Sequence, residues 1–209
     1  YVPGLTDPSL PAAEKDKILG EAYFIRALGY FDLARGWGGV QLQLTPTANI
    51  SGIKGVRRST LEQTYDQVLN DLIEAERLLP EEASTRNRAQ KSTARALRAR
   101  LHLYRKQWRD AELYATQVID NPKYQLVTPY KTFFTTPFQT RESVLELAYS
   151  NNDRNTFWNL WYPSSSGGQY TLKPSASFIA KVNNPAIGGT RSTLIAGTGN
   201  NVYGVLYNT

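Results

Sequence analysis

The sequence has no cysteine, no methionine and a single histidine, His102. Without thiols there are no disulfides, no thiolate nucleophile and no cysteine metal site. One imidazole leaves little material for a zinc centre or a histidine-based triad, and no Asp-x-Asn/Asp-x run of the calcium-loop kind occurs. No stretch approaches the roughly 20 uninterrupted apolar residues of a membrane-spanning helix. The opening Tyr1-Val2-Pro3-Gly4-Leu5 lacks a charged segment followed by an apolar run, so no signal peptide is legible. With no initiator methionine, the sequence reads as a piece of something longer.

What is present describes a folded protein. Of 209 residues, 41% are hydrophobic and 20% charged, enough for a sizeable core and ordinary for a globular chain. The 13 Tyr, 4 Trp and 7 Phe leave stacking surfaces beyond what a core consumes. A net charge of +6 raises nucleic acid as a possible partner.

Hydrophobic spacing predicts four helices in the first part. From Glu14 to Arg35, Ile18, Ala22, Ile25 and Leu28 recur at helical steps beside Tyr23, Phe24, Phe31 and Leu33. Apolar positions go most of the way round, so this helix should be buried on more than one side. Gly36-Trp37-Gly38-Gly39 stops it. That run follows a helix and lacks a Gly-Lys-Ser/Thr completion, which favours a helix stop over a phosphate loop. Val40, Leu42 and Leu44 then alternate as a short extended segment. Ser59-Thr60-Leu61-Glu62 offers a capping box for a second helix carrying Leu61, Tyr65, Val68, Leu69, Leu72 and Leu79, ended by Pro80. A third helix runs from about Ser92 to Lys106, and a fourth begins near Trp108 and stops at Asn121-Pro122.

The third and fourth helices have the spacing of a tetratricopeptide unit. Ala99, Trp108, Ala111 and Pro122 fall near the repeat's small, aromatic, small and proline positions, with Trp108 expected to plug the gap to a neighbouring unit. The first two helices read as another such unit with a long insertion. After Pro122 the pattern changes: Ser143 to Tyr149 is predicted as a short strand, Pro174 to Val182 as a short helix, and the Gly-, Asn- and Thr-rich tail from Asn183 to Thr209 as irregular. The fold class is therefore mainly α, tetratricopeptide-like antiparallel helix pairs over residues 1–122. A loop-rich part containing short strands follows over 123–209.

Two clusters carry candidate chemistry. Arg88, Lys91, Arg95, Arg98, His102, Arg105 and Arg109 recur at three- and four-residue steps as a basic stripe. It would suit a polyanion, or else pair with the acidic second helix through Asp66, Asp71, Glu74 and Glu76. No RNA-binding signature or helix-turn-helix pattern accompanies it, which favours pairing and leaves no nucleic-acid partner. The other cluster is Asn151 to Pro163. There Asn152, Asp153 and Arg154 precede Trp158, Trp161 and Tyr162 in a loop bounded by Pro and Ser/Gly. Flat aromatic faces stack on the apolar C–H faces of sugars or on peptide side chains, while amides and charges bond hydroxyls. The alternative is that the two tryptophans are buried and pin the loop to the helices. Glu146 and Asp153 are the only carboxylates near it, and spacing alone cannot identify a hydrolytic pair.

Several blocks then point to a known family. Glu21-Ala22-Tyr23-Phe24-Ile25-Arg26-Ala27-Leu28-Gly29-Tyr30-Phe31-Asp32-Leu33, followed by Trp37-Gly38-Gly39-Val40, resembles a helix-and-turn block of the SusD/RagB proteins. Thr60 to Pro80, Gln90 to Ile119, Tyr124 to Phe134 with Glu142 to Leu147, and Pro174-Ser175 to Arg191 are similar to further blocks, in the same order. The resemblance covers roughly residues 14–191. It implies a lipid-anchored receptor on the outer face of a Bacteroides-type outer membrane, built on tetratricopeptide-like helix pairs. Such a receptor binds oligosaccharide, or in some members peptide, as the lid of a SusC-like TonB-dependent transporter. It implies no enzyme and no cofactor; if this piece touches ligand, the loop's Asn152, Asp153, Arg154, Trp158, Trp161 and Tyr162 are the expected contacts. Family members are considerably longer and carry a lipidated cysteine that this sequence lacks. Asn183 and Asn184 stand where the family has an aspartate. A tetratricopeptide scaffold for protein partners, without a small ligand, is the competing reading.

Overall fold

A computed structural model of the chain describes residues 9–46, 55–129, 132–135, 139–150, 152, 157–189, 191 and 195–204. The chain divides into two compact units, residues 1–126 with 141–146, and residues 127–140 with 147–209. A short later segment, residues 141–146, returns to the first unit.

The first unit is helical. α1 (Ala12–Trp37), α2 (Leu61–Leu78), α3 (Lys91–Tyr104) and α4 (Trp108–Ile119) pack each against the next. One face of α1 supplies Phe24, Ala27, Phe31 and Ala34 to a core completed by Tyr65, Val68, Leu72 and Ala75 of α2 and Ala94, Leu97 and Leu101 of α3. α1 was expected to be buried on more than one side. Its second apolar side is instead exposed, with Ile25 at 67%.

α1 ends where the glycines predict. Gly38 adopts φ +77° and its N–H donates to Ala34 O at 2.9 Å. Gly39 is required for a different reason: a β-carbon there would lie 2.0 Å from Ser59 O, where the chain enters α2. Arg58 fixes this crossing by donating to Trp37 O and Gly39 O.

The capping box of α2 sits one residue later than expected. Thr60 Oγ1 accepts from Gln63 N at 3.1 Å and Gln63 Oε1 accepts from Thr60 N at 2.9 Å. Ser59 cannot take the role because its N–H donates to Val40 O, continuing the Gln41–Arg58 bridge. Thr60→Ala should lower stability by about 1 kcal/mol, read as a chemical-denaturation midpoint shift at constant slope; Ser59→Ala should be near neutral.

Two other expectations are corrected. Residues 143–149 form no strand, because no neighbouring strand lies alongside them among the described residues. They meet a loop instead, with Glu146 N donating to Arg86 O at 2.9 Å and the Arg86 guanidinium donating to Ser143 O. Trp108 does not plug a gap between repeats: it is 62% exposed, and α4 buries none of its residues.

The second unit is built from short pieces: α5 (Thr132–Thr135), 3-10 turns at Phe157–Leu160 and Ser164–Ser166, α6 (Ala176–Asn183), α7 (Pro185–Gly188) and an antiparallel pair of two-residue strands, β1 (Ile195–Ala196) and β2 (Tyr203–Gly204). Ser175 caps α6 through Phe178 N, and Asn184 caps α7 through Ala186 N at 3.0 Å. Asn184, which stands where the family pattern has an acid, thus has a local structural task.

Candidate functional site

Apart from Arg109, the cations of the basic stripe have carboxylate partners within the first unit. Arg88 pairs with Glu21, Lys91 with Glu81 at 3.0 Å, Arg95 with Glu76 at 2.8 Å, Arg98 with Glu76, and Arg105 with Glu62 and Asp66. Of the four acids expected to face it, Asp66 and Glu76 do. Glu74 instead bonds Arg77 and Asp71 bonds Arg26. His102 lies inward, not on the stripe. It is buried, stacks on Tyr114 with centroids 5.5 Å apart, and its Nδ1 is 2.7 Å from Gln107 Oε1. A row of cations whose carboxylate partners are already in place makes a poor polyanion surface.

The aromatic segment behaves differently. Asn159, Leu160, Trp161 and Tyr162 begin a loop that turns at Pro163–Gly167 and comes back alongside itself. Gln169 N donates to Asn159 O at 2.7 Å and Leu172 N to Leu160 O at 2.8 Å. Pro163 O accepts from both Ser166 N and Gly168 N. Gly167 closes the turn at φ +84°. Gly168 passes so close that a β-carbon would stand 2.0 Å from Tyr162 O. Tyr170 ties the returning arm to the segment before β2, donating from its hydroxyl to Val202 O at 2.7 Å. Lys173 Nζ lies 5.9 Å from the Tyr170 ring centroid.

This bracing fixes what each expected residue can do. Trp161 is 37% exposed, a rigid aromatic face at the loop's start. Tyr162 is buried, its ring 5.1 Å from that of Tyr203 and tilted by 48°. Burial, with Tyr203 adding to it, pushes the Tyr162 phenol above its ordinary pKa. Tyr162 is therefore a buttress rather than an accessible stacking face. Asn152 is exposed, with its N–H toward Ser150 Oγ at 3.3 Å. Trp158 belongs to the 3-10 turn before Trp161, its side chain outside the description, and Asp153 and Arg154 lie outside the described residues.

Sequence reasoning missed Asn159, whose buried Oδ1 has no hydrogen-bond partner among the described residues, and the bracing Tyr170. The flanking Gly167-Gly168 was the available signal for a tight return. Chemically the loop offers one exposed aromatic face, Trp161, on a hydrogen-bonded turn. No group of three or more His, Cys, Asp or Glu able to hold a metal occurs among the described residues.

The family model described as SusD-like, starch-binding associating with outer membrane, matches residues 5–103. A SusD-like protein P38 from Formosa agariphila is 33% identical over 124 residues, which is 59% of this chain and 24% of that protein. The chain thus spans about a quarter of that relative's length. The crystal structure of a SusD-like protein from Bacteroides fragilis superposes with a TM-score of 0.68 at 27% identity, over 83% of this chain and 36% of that one. A laminarin-binding SusD-like protein superposes with a TM-score of 0.65 at 26% identity, over 72% of this chain and 34% of that one. The helical scaffold, the glycine-stopped α1 and the ordered sequence blocks agree with this likeness, and the chain is SusD-like in sequence over residues 5–103.

Proposed function

We propose that the chain is part of a non-enzymatic cell-surface receptor that captures oligosaccharide for import through a TonB-dependent outer-membrane transporter, held at the outer membrane by a lipid anchor. The helical unit is scaffold. The ligand is met by the second unit's aromatic loop, with Trp161 and Trp158 stacking on sugar faces and Asn152, Asp153 and Arg154 bonding hydroxyls.

The observation that carries this reading is the exposed Trp161 on a braced loop, in a fold shared with a laminarin-binding relative. A preorganised aromatic face loses little conformational entropy on binding, so its area counts toward affinity. Bonding of hydroxyls by amides and charges supplies orientation.

Trp161→Ala should weaken retention on affinity gels containing laminarin or starch by about tenfold or more, the range of an aromatic anchor, with the helical circular dichroism unchanged. Unaltered retention would remove the loop from the site. Recovery of a large membrane barrel by the full-length protein from outer-membrane extract tests the transport partner separately.

A further inference from the structure

Charge is distributed unevenly between the two units. The chain has 24 Lys and Arg and 18 Asp and Glu. The second unit holds five of the cations, Lys131, Arg154, Lys173, Lys181 and Arg191, and a single carboxylate, Asp153. Four positive charges in that unit therefore have no acid to balance them, most of the formal +6 of the whole chain. The helical unit is near balance and sets its charges against one another, as Arg26 with Asp71, and Arg95 and Arg98 with Glu76, illustrate. In the second unit Lys173, Lys181 and Arg191 are exposed, and none has a carboxylate partner among the described residues. Solubility alone would be served equally well by an excess spread over the whole chain.

One of these cations is placed at the aromatic loop. Leu172 N donates to Leu160 O at 2.8 Å. Lys173 and Trp161 are the next residues on the two arms, so the ammonium and the exposed ring belong to the same stretch of the loop. The arm carrying Lys173 is held in place. Tyr170 sits at φ +51°, a left-handed conformation that bulky residues rarely adopt. Its hydroxyl is tied to Val202 O at 2.7 Å, and Lys173 Nζ lies 5.9 Å from its ring centroid, within cation–π range. Backbone strain of this kind persists where the surroundings over-determine it, and it gathers at ligand clamps. An aromatic face accepts the C–H face of a neutral or a charged sugar alike. A fixed cation beside it, in a unit with surplus positive charge, selects the charged one. We infer that the oligosaccharide taken by the second unit is anionic, carrying carboxylate or sulfate groups, and that Lys173 meets one of them beside the ring stacked on Trp161. The inference rests on glycan capture at this loop and adds the class of glycan.

Calorimetric titration of the full-length protein tests this with three sugars of equal length: neutral laminaritetraose, tetragalacturonate and a sulfated carrageenan tetrasaccharide. At least one charged sugar should bind about tenfold or more tighter than the neutral one at low ionic strength, a ratio that shrinks as salt screens the attraction. Lys173→Gln should cut the ratio at least about threefold, the scale of one exposed charge pair, and Lys173→Arg should keep it. Lys173 is exposed, so neither change should disturb the fold. Tetragalacturonate as the tighter ligand would assign carboxylates, the carrageenan tetrasaccharide sulfate esters, and either supports the inference. Neutral and charged sugars bound equally would overturn it while leaving glycan capture standing. A ratio untouched by Lys173→Gln would overturn it too. So would a thymidine tetranucleotide bound as tightly as the charged sugars, since that is attraction to any polyanion. If none of the three sugars binds, capture itself fails, and this inference with it.

Discussion

Asp71→Ala should lower the stability of the helical unit by about 3 kcal/mol, or roughly 10 °C in thermal midpoint. Asp71 is 1% exposed and lies on the core face of α2. Its two carboxylate oxygens each accept a 2.7 Å hydrogen bond from Arg26 of α1, through Nε and a terminal nitrogen, and Gln67 Nε2 adds a third at 2.8 Å. The hydrogen bond to Asp71 holds the Arg26 guanidinium above its ordinary pKa. Removing the carboxylate strands a cation whose side chain is only 33% exposed. That partial exposure lets water compensate some of the loss, which sets the value at the lower end of the 3–5 kcal/mol typical of broken buried pairs. The diagnostic comparison is the double variant Arg26→Met with Asp71→Leu. With both charges gone no orphan remains, and much of the lost stability should return. Urea midpoints at constant slope measure each variant. If Asp71→Ala and the double variant are equally destabilised, shape rather than charge pairing is the reason Asp71 is needed.

Phe31→Ala should cost about 4 kcal/mol, within the range for deleting a buried aromatic ring. Phe31 is 0% exposed at the meeting point of the first three helices. Its ring lies edge-on to Tyr104 of α3 with centroids 5.3 Å apart and tilted against Tyr65 of α2 at 6.3 Å. Arg35 and Arg100 approach the same ring at 5.5 and 5.7 Å. The truncation therefore opens a cavity and removes contacts to two other helices at once. Phe31→Leu, which keeps most of the volume, should lose well under half as much. A Phe31→Ala penalty no larger than that of Phe31→Leu would mean the core collapses readily there.

The helices and their stops were legible because their causes are local. The helical spacing of Ile18, Ala22, Ile25 and Leu28, and the glycines after Trp37, act within a few residues of themselves. Which face of α1 is core was not legible, since the buried row is Phe24, Ala27, Phe31 and Ala34. Expectations failed where the deciding contact is remote. Ser59 reads as the cap of α2 until its N–H is seen to be used by Val40. Residues 143–149 have the composition of a strand, but a strand needs a ladder partner, and these residues meet Arg86 instead. The same limit applies at the candidate site. Trp161 and Tyr162 are neighbours in sequence and equally plausible as stacking faces. Which one reaches solvent is decided by Gly168 and Tyr203, which press on Tyr162 from elsewhere in the chain. Paired cations on α3 likewise become uninformative about partners only once Glu62, Asp66 and Glu76 are seen opposite them.

Capture without turnover is the central claim. It is tested most directly by titrating laminarin- and starch-derived oligosaccharides into the full-length protein in a calorimeter and chromatographing the recovered sugar. Saturable binding with the oligosaccharide returned intact is the expected result, and Trp161→Ala should flatten the isotherm. Shortened products, or binding left unchanged by Trp161→Ala, would contradict it.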